Sequence, residues 1–138
     1  MTPKQVAQIQ DSWTKVIPIQ TEAAALFYNR LFEVDPDLRA LFKGDLIEQG
    51  RKLMTMITVV VNGLTRLEAL IPAVRDLGHR HAGYRVKEEH YAIVGGVLLW
   101  TLEQGLGPQF TPELKQAWSE AYTLLAATMQ QGAAAAAA

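Results

Sequence analysis

The chain has 138 residues and a mass of 15.3 kDa, with 13 Lys and Arg against 14 Asp and Glu, three His and no Cys. That length suits one domain that buries roughly two-thirds of its unfolded surface, and 49% hydrophobic with 20% charged residues excludes a disordered polyelectrolyte. A formal net charge of −1 without a Lys/Arg block excludes an electrostatic footprint for nucleic acid, and the lack of Cys removes disulfides, thiolate zinc sites, iron–sulfur clusters and cysteine nucleophiles. No uninterrupted apolar run of about 18 residues suggests a membrane span. The start, Met1-Thr2-Pro3-Lys4-Gln5, lacks the basic-then-apolar order of a secretory signal, so a cytoplasmic protein is expected.

Capping chemistry divides the chain into helices. Thr2, Pro3 and Gln5 supply an N-cap, a first-turn proline and a reciprocal amide, after which Val6, Ile9, Trp13 and Val16 form a stripe. Pro18 ends that helix. A second begins near Thr21, carries Leu26, Phe27, Tyr28, Leu31 and Phe32, and stops at Asp35-Pro36, which cap a short third helix with Leu38, Leu41 and Phe42. Asp45-Leu46-Ile47-Glu48 resembles a capping box and Asn62-Gly63 can close the fourth helix. Within it, Thr55 to Val61 is β-branched and precedes Asn-Gly, a hairpin signal. No alternating run follows to pair with it, so the segment reads as a buried helix. A further helical stretch opens at Thr65-x-x-Glu68 and is expected to break near Pro72, with Val74, Leu77 and His81 in line before Gly83. The next helix runs from about Lys87 to Gln104 and breaks at Gly105-Leu106-Gly107-Pro108. Thr111-Pro112-Glu113 starts the last, with Leu114, Trp118, Tyr122, Leu125 and Met129 on one side. The fold class is all-α. Residues 1–132 form the expected domain, and the six alanines of residues 133–138 are set aside as a candidate artefact because they carry no side-chain information.

The usual enzyme templates fail: there is no Gly-x-Gly-x-x-Gly, P-loop, Ser-centred elbow or His-Glu-x-x-His. His79 and His81 point about 200° apart on a helix and cannot share one ion. A lone inward His such as His81 is either a satisfied core residue or a ligand. An apolar helical setting with several aromatics and a Tyr/Gln pair suits a buried planar cofactor, and haem iron needs one neutral imidazole in a dry pocket.

A specific resemblance enters with Leu31-Phe32-Glu33-Val34-Asp35-Pro36-Asp37-Leu38-Arg39-Ala40-Leu41-Phe42, which looks like the segment joining the second helix to the following corner in globins. Arg51-Lys52-Leu53-Met54, Asp76-Leu77-Gly78-His79-Arg80-His81, His90-Tyr91-Ala92-Ile93-Val94-Gly95, Leu106 to Pro112 and Ala117 to Tyr122 fit the same family in the expected order. The likeness covers nearly everything before the alanines and is similar to single-domain bacterial haemoglobins of the Vitreoscilla and flavohaemoglobin lineage, with neuroglobin-like stretches. It implies a globin fold, a three-over-three helical sandwich with one helix short or absent.

Residue by residue, the resemblance implies haem b held by His81 as the proximal iron ligand and wedged by Phe42. Gln49 takes the distal-helix place where many globins have His, and Leu53 matches the apolar residue above the iron. Tyr28 matches the second-helix position that points into the distal pocket, so Tyr28 and Gln49 would offer an O–H and an N–H donor to a gas. Lys52 suits a haem propionate or is an ordinary exposed lysine. Leu77, Val86 and Val94 match apolar haem-wall positions, which nothing local separates from core. Tyr91 matches the tyrosine beside the proximal His. The glutamate that this lineage places late in the last helix falls in the alanine tail here, against peroxidase-like activation of the imidazole. His79 and His90 have no matched role and read as surface residues, and without a distal His no bis-histidine iron is expected. The resemblance thus implies reversible binding of O₂, and of CO and NO, for oxygen storage or delivery. The alternative is an NO dioxygenase that relies on a separate electron-donating reductase, since the chain has no flavin or nicotinamide domain.

Overall fold

Local chemistry fixes several helix starts in the computed structural model, which describes residues 1–42, 44–83 and 88–137, with side chains over 1–42, 44–80 and 89–131. Helix α1 spans Pro3–Val16, and its capping box is complete: Gln5 N donates to Thr2 Oγ1 at 3.1 Å while Thr2 N donates to Gln5 Oε1 at 2.9 Å. Pro18 lies in a 3-10 turn, Ile17–Ile19, that leads straight into α2 (Gln20–Val34). The expected short third helix is a 3-10 helix, Pro36–Leu41, closed by i→i+3 bonds from Leu38 N to Asp35 O and Phe42 N to Arg39 O. Asp35 caps it through Asp37 N.

Helix α3 spans Leu46–Gly63. Asp45 caps it by accepting from Ile47 N at 2.9 Å, but Glu48 pairs with Arg51 one turn along, so no reciprocal box closes. Its β-branched centre is helical. Thr55 and Thr58 return their hydroxyls to the carbonyls of Arg51 and Met54, which satisfies them within the helix. After a 3-10 turn, Leu64–Arg66, helix α4 runs Leu67–Gly83 without the break expected at Pro72. Pro72 is exposed and forfeits one helical N–H bond, while Leu70, Val74 and Leu77 around it pack on α6. That burial outweighs the missing bond. Helix α5 (Glu88–Leu106) passes Gly105 and ends where Gly107 takes φ 57°, a left-handed conformation that glycine adopts freely. Helix α6 spans Pro112–Ala137, with Thr111 Oγ1 accepting from Leu114 N. No strand occurs among the described residues.

The buried side chains form two clusters. The larger joins α1, α2, α3, α5 and the first half of α6. At its centre Trp13 and Trp118 lie 5.9 Å apart, with Trp118 Nε1 donating to Ser12 Oγ and Trp13 Nε1 to Thr58 Oγ1, both at 2.9 Å. The smaller joins Val74 of α4, Tyr91 of α5, and Ala126 and Met129 of α6. Tyr122 packs against both. The helical run Leu46–Arg80 contains an 18-residue window with mean hydropathy 1.4, so one helix is apolar and long enough to cross a membrane, although no uninterrupted apolar run was expected. Only 17% of that window is buried, and a 3-10 turn divides the run into α3 and α4.

Candidate functional site

The apolar surplus on α3 is ordered. Gly50, Met54, Ile57 and Val61 recur at i, i+4, i+7 and i+11 and are fully buried against the core. Displaced by one residue, Gln49, Leu53, Met56 and Val60 form a parallel stripe that is only half-buried. A stripe of three apolar residues headed by an amide, left half-covered beside a packed one, is suited to form a ligand wall. Gly50 sets where this wall lies. A Cβ there would stand 2.9 Å from Ala24 Cβ and 3.9 Å from the Tyr28 ring, so α2 and α3 cross in near backbone contact. That crossing brings Gln49 to Tyr28.

Tyr28 is 5% exposed. Phe27 and Phe42 meet its ring edge-on at 5.1 and 5.3 Å, and Phe32 lies 6.0 Å away. Phe32 and Phe42 are in turn 5.7 Å apart, and Arg39 pins this corner by covering Phe32 and donating to the Phe42 carbonyl at 2.7 Å. Burial pushes the Tyr28 hydroxyl up to about 12, with a hydrogen bond to the Gln49 side chain acting the other way. The phenol is therefore a neutral donor at every physiological pH. One O–H and one amide in an aromatic and aliphatic enclosure make a small polar spot for a small acceptor.

On α4, Leu70, Val74 and Leu77 recur at i, i+4 and i+7 in the second cluster, and the next position in that register is His81. The His81 side chain lies outside the described residues, as does Val86. Tyr91, 8% exposed, has a buried hydroxyl with no hydrogen-bond partner among the described residues. Burial raises its pKa. Tyr122 donates to the Tyr91 carbonyl at 2.6 Å, and its own pKa is raised by burial and then by the nearby Tyr91. A buried phenol with no partner among the described residues, the half-covered stripe on α3 and two buried clusters joined by Tyr122 are compatible with a buried planar cofactor.

The structure thus brings Tyr28, Gln49 and Phe42 together and sets Leu53 on the same α3 face as Gln49. Leu77 and Tyr91 lie in the second cluster, and Val94 is half-buried against the first. Lys52 is exposed, as is His79, whereas His90, expected at the surface, is half-buried. Sequence reasoning missed Met56, Val60 and Gly50. The first two continue the spacing that starts at Gln49, so the period alone could have found them; the close approach at Gly50 leaves no local signal. A cleft of about 860 Å³ runs between α5 and α6, lined by Tyr91 and Tyr122 themselves together with Gly95, Gly96, Ser119 and Thr123 among others. It includes neither Tyr28 nor Gln49.

The described residues thus form a helical fold in which the α2–α3 crossing brings a buried phenol and an amide together. The globin family model matches residues 25–129, and the chain belongs to the globin family. It is 31% identical to a neuroglobin of Danio rerio over 96% of this chain and 92% of that protein. It is 35% identical to a flavohemoprotein of Bacillus subtilis over 72% of this chain but only 26% of that longer protein. Among solved structures, an engineered carbene transferase made from a candidate nitric oxide dioxygenase of Rhodothermus marinus matches with a TM-score of 0.86 at 28% identity, covering 97% of this chain and 94% of that one. Membership implies a haem cofactor.

Proposed function

We propose that residues 1–132 are a haem b protein that reversibly binds O₂, and also CO and NO, for oxygen storage or delivery in the cytoplasm. The observation that carries this reading is the Tyr28 hydroxyl, buried among Phe27, Phe32 and Phe42 with the Gln49 side chain beside it. His81 would be the iron ligand, and Phe42, Leu53, Leu77, Val86, Tyr91 and Val94 the apolar walls, with Lys52 at a propionate. The haem would supply an open iron position for the gas. Tyr28 and Gln49 would supply donors, which favour dioxygen because it gathers negative charge, over the less polar CO. Each such bond is worth roughly 1 kcal/mol net, more when charge-assisted.

The flavohemoprotein relative and the dioxygenase-derived structure favour a second reading, in which NO and O₂ combine with one electron to give nitrate. The electron would come from a separate reductase. A visible spectrum of the purified protein tests the first reading: a Soret band and reversible O₂ difference spectra are expected, and neither would form without haem. NO consumption that persists over many turnovers only when a reductase and nicotinamide are added would establish the second.

A further inference from the structure

Glycine in mid-helix is unfavourable relative to alanine because it has more backbone freedom to lose, so Gly78 in the interior of α4 calls for a reason in packing. The most extensive helix pairing among the described residues is α4 on α6. Val74 meets Ala126 and Met129 there, and Arg75 donates to Gln131 at 3.2 Å. A Cβ on Gly78 would stand 1.9 Å from the Met129 carbonyl oxygen and 2.6 Å from its Cα. Both are backbone atoms, so no rotamer change relieves the clash; α4 would have to retreat by about 1 Å to reach even the 3.0 Å limit of real Cβ contacts.

We propose that Gly78 is a positioning residue for the iron ligand, fixing through its backbone contact with Met129 how far α4 stands from α6 and hence where His81 presents its imidazole. Gly78 precedes His81 by three residues, so the two occupy adjoining turns on one flank of the helix. A helix moves as a rigid segment over one turn, and a displacement at Gly78 is passed to His81 nearly whole. Displacements of that size at a functional group cost roughly a hundredfold. This rests on His81 being the ligand, as proposed above.

The test compares the haem-loaded wild-type protein with Gly78→Ala, and with Gly96→Ala as a control, because a Cβ at Gly96 meets nothing within 4 Å. The iron–imidazole stretching band of the ferrous, gas-free protein is recorded by resonance Raman, and haem loss is followed by transfer to excess acceptor apoprotein. Gly78→Ala should shift the band and release haem roughly ten- to a hundredfold faster, while Gly96→Ala changes neither. A lowered melting temperature with the band in place would mean that Gly78 is merely structural and would overturn the proposal. If Gly78→Ala yields no folded protein, Val74→Ala thins the same contact without a clash; its band must also move, and an unmoved band overturns the proposal equally. A wild-type protein that carries haem but has no iron–imidazole band removes His81 as ligand, and this inference with it.

Discussion

Tyr28→Phe removes one oxygen atom from the centre of the distal enclosure and nothing else. The ring is held by Phe27, Phe42 and Phe32 at 5.1, 5.3 and 6.0 Å, contacts that phenylalanine keeps. Haem content and folding should therefore survive. What disappears is a buried donor that stays protonated, its pKa pushed up to about 12. Losing one charge-assisted hydrogen bond of about 1.5–3 kcal/mol should speed O₂ dissociation roughly ten- to a hundredfold. The Gln49 amide, released from the phenol, can turn to the gas and offset part of this, which places the expectation at the lower end of that range. Gln49→Leu should act in the same direction, and the double variant should be less than additive because both donors serve one acceptor. CO dissociation should change far less. Stopped-flow displacement of both gases from the four proteins decides the matter. Equal acceleration for O₂ and CO would show that Tyr28 governs entry rather than charge, and the electrostatic reasoning would fail.

His81→Ala should lose haem during purification, whereas His79→Ala should keep an unchanged ferrous spectrum; stoichiometric haem in the first variant would refute the assignment. Because burial raises the Tyr28 pKa from 10.0 to about 12, the folded chain holds that proton more tightly than the unfolded chain. Its contribution to stability is full below about pH 10 and is lost as pH rises toward 12. Tyr91 and Tyr122 are shifted in the same sense, so urea denaturation of the apoprotein should show an alkaline loss of stability that Tyr28→Phe and Tyr122→Phe each reduce. Ser12→Ala leaves the buried Trp118 N–H without its acceptor and should cost about 1–3 kcal/mol in the same assay; a change under about 0.5 kcal/mol would mean that the indole finds another partner.

Helix boundaries were legible where a side chain meets its own backbone within three residues, as at Thr2 with Gln5, Asp45 with Ile47 and Thr111 with Leu114. Such bonds depend on sequence neighbours alone. Pro72 misled because local propensity is worth about 1–3 kcal/mol and the burial of the α4 stripe on α6 exceeds it, whereas the break expected at Gly105 to Pro108 falls within that segment, at Gly107. The all-α class, the Tyr28 and Gln49 donors and the register that carries His81 came from periodicity and family likeness. That Gln49 reaches Tyr28 was decided only by the α2–α3 crossing at Gly50, and the seat of α4 only by the approach of Gly78 to Met129. Residues 51 positions apart in the chain pack so closely that a Cβ on Gly78 would stand 1.9 Å from the Met129 carbonyl oxygen, and a sequence records a missing side chain without recording what has moved into its place.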